Sequence, residues 1–238
     1  MKKILILGIT FGCFALPITG MATVLVDSND WIGSRSTATG SVTGNGMWDG
    51  INDNGFQIDW HITQDSTTQI YSYTYSISGI DGEGLSKGLS HWLLEVTNPA
   101  IICEFTPFTT TENSQETGTD NEGPQLWTEK QGNPLMPDNI YGIKFNMSAD
   151  SDVRIYTLSF DSLRDPVWGD FYAKDGLRQP YTVAWNTGFG TEVTGTDFTN
   201  WIARPNGGDP VPEPATMLLF GTGLAGLAGY GRKKSQKK

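Results

Sequence analysis

Along the middle of the chain, apolar and polar residues alternate with a period of two. In "FQIDWHIT", Phe56, Ile58, Trp60 and Ile62 fall on one side, and Gln57, Asp59, His61 and Thr63 on the other. In "YSYTYSI", Tyr71, Tyr73, Tyr75 and Ile77 oppose Ser72, Thr74 and Ser76. Successive side chains of a strand point to opposite faces, so both stretches predict half-buried β-strands. "HWLLEV" (91–96) and "AIICEF" (100–105) predict two more, separated by Asn98-Pro99. "IYGIKFNM" (140–147) and "VRIYTLSF" (153–160) flank "SADSD" and predict a hairpin. "YTVAW" (181–185) predicts a further strand. Residues 106–123, "TPFTTTENSQETGTDNEG", read as a long polar loop.

No stretch between residues 23 and 210 repeats with period 3.6. Clusters of Gly, Asn, Asp and Thr separate the strands, as turns require. The pattern predicts an all-β fold, an antiparallel β-sandwich that can take a jelly-roll-like form, with a closed barrel as the rival.

Charge narrows the partners. The chain has 16 Lys+Arg against 26 Asp+Glu. Seven of the basic residues lie at the two ends, which leaves residues 23–210 with 9 basic and 25 acidic residues, a net charge near −16. Such a surface repels nucleic acid and anionic membrane, and no nucleic-acid partner is expected. The acidic loops at 49–55, 81–84 and 120–123 leave calcium open as a ligand, although none has EF-hand spacing. No other cofactor is expected.

Side-chain chemistry is sparse. The chain holds two His, His61 and His91. His61 falls on the polar face of its strand, beside Asp59, and His91 reads as a satisfied, half-buried residue. No G-x-S-x-G elbow, no H-E-x-x-H and no phosphate-cradling Gly-rich loop is present. A glycosidase needs only two carboxylates, so 25 of them discriminate nothing. Trp48, Trp127 and Trp201 lie in turn-like segments, where they are candidates for stacking on sugars or for the core. Trp168, Phe171 and Tyr172 read as core anchors, and Lys174 and Asp175 as surface residues or a local ion pair. Cys103 reads as a small buried hydrophobe.

The ends differ from the middle. Lys2 and Lys3 precede an apolar run at 4–16, followed by Pro17, Gly20 and Ala22. This is the layout of a secretory signal peptide cleaved after Ala22. Cys13 raises a lipoprotein signal, but Thr10 stands where such a signal usually has Leu. With the leader removed, Cys103 is the only cysteine, so no internal disulfide can form. At the other end, residues 215–231 carry no charge and, as a helix, span about 25 Å, just under the hydrocarbon core of a bilayer. Arg232, Lys233, Lys234, Lys237 and Lys238 follow, which places the tail on the cytoplasmic side.

Pro212-Glu213-Pro214, the uncharged span and Arg232-Lys233-Lys234, in that order at the end of the sequence, resemble the PEP-CTERM sorting signal of Gram-negative bacteria. Ala215 stands where members of that family often have Ser or Thr. The resemblance implies recognition by exosortase, a membrane-embedded cysteine transpeptidase-like protease. It also implies removal of the tail and transfer of the body to the cell surface or extracellular matrix. Pro212, Glu213, Pro214 and Arg232 are then the signal residues. Signal peptidase and the export machinery are expected partners, the inner membrane is a transient one, and the matrix exopolysaccharide is a candidate. The stretches "SHWLLEV" (90–96), "DPVWGDFYAKDG" (165–176) and "WNTGFGTEVTGTDFTNWI" (185–202) resemble the bodies of such proteins but imply no activity.

The expected organisation is a signal peptide (1–22), a β-sandwich domain (23–205), a Pro/Gly linker with the motif (206–214), a transmembrane helix (215–231) and a basic tail (232–238). Three function classes remain: a non-catalytic surface or biofilm-matrix protein, a carbohydrate-binding module, and a carboxylate-dependent hydrolase.

Overall fold

A computed structural model describes residues 24–117, 120–148, 152–176 and 179–206. The expected signal peptide, sorting motif, membrane span and basic tail lie outside these residues. Among the described residues no helix is long and apolar enough to cross a membrane. Helical structure there is limited to short 3-10 turns.

The strands are β1 (Ile32–Ser36), β2 (Val42–Asn45), β3 (Gln57–Gln64), β4 (Tyr71–Ser78), β5 (Leu89–Glu95), β6 (Phe108–Glu112) and β7 (Gln115–Thr117). They continue with β8 (Asp120–Trp127), β9 (Ile140–Asn146), β10 (Tyr156–Ser162), β11 (Pro166–Gly169), β12 (Phe171–Asp175), β13 (Val183–Asn186) and β14 (Ile202–Pro205). One six-stranded sheet has the order β1-β3-β4-β10-β6-β7 and the other β2-β13-β12-β5-β9-β8. β11 and β14 form a separate pair. Every ladder is antiparallel.

The period-two pattern explains how the layers meet. In β3 and β4 the apolar set, Ile58, Trp60, Ile62, Tyr73, Tyr75 and Ile77, is buried. The two layers meet through aromatic contacts. Tyr75 lies 5.0 Å from Trp92, Phe56 5.8 Å from Phe171, and Phe145 6.3 Å from Phe160, measured between ring centroids. Large rings fill the space between the layers and supply the apolar burial that stabilises a domain with no disulfide. The buried phenols are satisfied: Tyr73 donates to Arg164 O at 2.6 Å and Tyr75 to Ala203 O at 2.9 Å.

The outer faces differ. The first sheet carries a polar cross-strand ladder, with Ser72 donating to Asp161 Oδ1 at 2.6 Å and Thr74 paired to Ser159 at 3.1 Å. The second sheet is covered. Leu93, Tyr172, Val183, Ile140 and Trp127 pack with Met136 and Phe189 into a second apolar cluster beneath residues 128–139.

Several expectations are corrected. β9 and β10 belong to different sheets, so residues 140–160 do not form a hairpin. "AIICEF" is not a strand; Ile102–Glu104 is a 3-10 turn, and Cys103 is exposed rather than buried. Ala100 and Phe105 of that stretch reach the core, while Glu104 pairs with the buried Arg164. The described residues of 106–123 are not one long loop, because they include β6, β7 and the start of β8. Lys174 and Asp175 are buried. Lys174 Nζ donates to Asp175 O at 3.0 Å, and the Asp175 carboxylate is ion-paired with Lys87.

Candidate functional site

A groove of about 500 Å³ opens where the end of β5 meets β11, β14, the start of β9 with the preceding residues 138–139, and the loop at 190–193. Its chemistry comes from three charges set in apolar runs: Glu95 after "HWLL", Asp170 within "VWGDFY" and Arg204 within "WIARP". β5 and β14 bring Glu95 and Arg204 together, with Glu95 Oε1 accepting from Arg204 Nη2 at 2.9 Å. Glu95 Oε2 accepts from the backbone N–H of Asp170 at 2.8 Å. Asp170 Oδ1 accepts from Asn186 Nδ2 at 2.7 Å, and its Oδ2 from the Gly190 N–H at 2.9 Å. Arg204 Nη1 donates to Thr97 Oγ1 at 2.7 Å.

Gly169 makes this clasp sterically feasible. A Cβ there would collide with the Arg204 side chain, so the pair can cross β11 only over a residue without one.

Burial, and then the nearby Glu95 charge, push the Asp170 carboxyl from its ordinary 3.8 up to about 7. The bonds from Gly190 and Asn186 and the Arg204 charge act in the opposite direction. Asp170 therefore titrates near neutrality, at the wall of a groove.

The residues singled out from sequence do not converge. His61 is exposed on the first sheet. His91 is buried on the second and shares a 2.9 Å hydrogen bond with Asn133 Oδ1. Burial, reinforced by the charges of Lys144 and Lys174, pushes the His91 imidazole down to about 4. Trp48 and Trp127 belong to the core, and Trp201, although only 7 % exposed, lines the groove. Trp168, Phe171 and Tyr172 are buried, as the sequence indicates.

The acidic stretch at 120–123 belongs to β8, and the loop at 49–55 is occupied with its own turns. Asp49 accepts from the Ile51 N–H at 2.8 Å, and Asp53 from the Gly50 and Gly55 N–H groups at 3.0 and 2.6 Å. Among the described residues no group of three or more His, Cys, Asp or Glu is placed to hold a metal ion. Sequence reasoning missed Glu95, Asp170 and Arg204 as a site. The available signal was a charge inside each of three apolar runs.

Pro212, Glu213, Pro214 and Arg232 lie outside the described residues. No curated protein matches the chain, and no solved structure matches it. Residues 210–233 match the family described as PEP-CTERM protein-sorting motif, and these residues include all four. The chain thus carries, at residues 210–233, a PEP-CTERM sorting motif, which implies processing by exosortase and export to the cell surface or extracellular space.

Proposed function

We propose that the mature body is a non-catalytic β-sandwich protein of the cell surface or extracellular matrix, associated with exopolysaccharide. The sorting motif at residues 210–233 carries this reading, because it directs an acidic, disulfide-free body outward. A signal peptide at 1–22 starts export, and the uncharged segment 215–231 holds the chain in the inner membrane while exosortase acts. The Arg232 cluster fixes the orientation. The groove supports an association with polysaccharide, since its size and mixed polar and apolar walls suit part of a sugar chain. The experiment is co-sedimentation of the processed protein, recovered from the cell exterior, with the native matrix polysaccharide, with and without calcium. Failure to sediment under both conditions refutes the association.

A carboxylate-dependent hydrolase is the second reading. It is favoured by Glu95 and Asp170 meeting in one groove with Asp170 raised to about 7, as a general acid requires. It ranks second because all four oxygens of the two carboxylates already accept hydrogen bonds from the protein. Hydrolysis of matrix polysaccharide that disappears in Asp170→Asn would reverse the order.

A further inference from the structure

The strongest remaining feature is the unfinished hydrogen bonding around the same groove. Among the described residues, Trp168 Nε1 and Arg204 Nε are buried donors with no acceptor, and both residues line it. A buried N–H without an acceptor is costly, and two of them in residues of one groove mark a wall suited to oxygen atoms from outside. The rim supplies the complementary groups: Asn98, Asn139 and Thr191 are exposed there and can exchange hydrogen bonds with hydroxyls. Val24, Val96 and Val193 add apolar wall between them.

Charge sets the class of ligand more narrowly. Asp138 and Glu192 line the groove, and neither has an ion-pair partner among the described residues. The one arginine is engaged with Glu95. The groove therefore repels carboxylated or sulfated ligands and favours neutral or amine-bearing ones. An extended peptide is disfavoured for a separate reason. β5 is paired on both sides, by β12 and β9, and β11 is paired by β14 and by Leu25, so the floor offers no free strand edge.

We infer that this groove is a saccharide-binding site, taking a short stretch of neutral or amino-sugar units and excluding uronates. The inference rests on the association with exopolysaccharide proposed above and assigns it a place on the molecule.

The test is titration calorimetry on the processed protein with length-matched oligosaccharides of glucose, glucosamine and galacturonic acid. The glucose or glucosamine oligomer binds, and the uronate does not. Asn139→Ala/Thr191→Ala weakens binding about tenfold, the scale of one or two lost hydrogen bonds. Asp138→Ala/Glu192→Ala weakens glucosamine more than glucose. These four positions are exposed, so the variants keep the wild-type unfolding midpoint, as does Glu116→Ala/Asp120→Ala, a control away from the groove that leaves binding unchanged. No binding of either favoured sugar, uronate binding of equal strength, or unchanged affinity in both groove variants overturns the assignment. If the protein sediments with matrix and the groove variants sediment equally, the groove falls and the association stands. If the short sugars bind but the matrix does not, the groove stands and the association falls.

Discussion

Asn133 accepts a hydrogen bond from the His91 ring across 2.9 Å and donates its own amide to Thr128 O at 2.8 Å. The side chain is wholly buried, so it ties residues 128–139 to the outer face of the second sheet from inside. Asn133→Ala removes both bonds, leaving the His91 N–H without this acceptor and Thr128 O with the Gln131 N–H alone. The expected loss is about 1–3 kcal/mol in urea unfolding. Amide exchange should quicken at Asn133 and Met136, whose N–H groups bond within this flap. A wild-type midpoint would show that the apolar cluster alone holds the flap.

Asp170 and His91 oppose each other in their response to acid. The folded pKa of Asp170, about 7, is above its ordinary 3.8, so its contribution to stability is fully present below 3.8 and is lost as pH rises toward 7. His91 is pushed from 6.5 down to about 4, so its contribution is full above 6.5 and is lost as pH falls toward 4. Relative to wild type, Asp170→Asn should lose stability on acidification across this window by roughly 1 kcal/mol per pH unit. His91→Gln should gain by a similar amount. Urea midpoints measured from pH 4 to 7 check this, and two parallel profiles would refute it.

Gly169→Ala tests the steric basis of the clasp. The added methyl meets the Arg204 side chain, which is fixed by Glu95 and Thr97 and cannot simply swing aside. The expected cost is about 1–3 kcal/mol. Adding Arg204→Ala should make the glycine substitution less costly, the non-additivity expected of touching residues, with the contact to Glu95 Oε2 leaving part of the cost.

Sorting is tested at Pro212→Ala/Glu213→Ala/Pro214→Ala. This variant should accumulate in the inner-membrane fraction with its tail attached and its signal peptide removed, as read by intact mass. Neutralising Arg232, Lys233 and Lys234 should instead disturb retention before processing. Efficient release of the triple-alanine variant without its tail would refute recognition through the motif.

The sequence revealed strands better than partners. Alternation in β3 and β4 was strong enough to place each side chain on its face, because one side of that sheet is polar. It said nothing of which sheet a strand joins, and so β9 and β10 were read as neighbours. "AIICEF" misled because apolar content alone cannot distinguish a strand from a turn whose Ile101 and Ile102 stay exposed. β6 and β7 were hidden by the polar composition of an edge, although β-branched Thr109, Thr110 and Thr111 favour extended backbone. The groove was not legible as a site, since its charges lie about 110 residues apart in sequence at Glu95 and Arg204. The sorting motif was legible because its parts are contiguous and need no tertiary contact to be recognised.

The two ends of the described chain share one strand. Val26 N–H bonds to Pro166 O at 2.9 Å, Trp168 N–H to Val24 O at 3.1 Å, and Asn206 N–H to Asp165 O at 2.8 Å, while β14 pairs with β11. A chain delivered from its N-terminus presents residues 24–26 first, yet they have nothing to bond until residues 166–168 arrive. β11 in turn stays half-paired until Ile202–Pro205 follows. In vectorial delivery, closure of the body would therefore be a late event, completed only a few residues ahead of Pro212. On the proposed export route, folding and sorting would therefore be nearly simultaneous, and a chain reaching the protease would have only just acquired everything it needs to be folded.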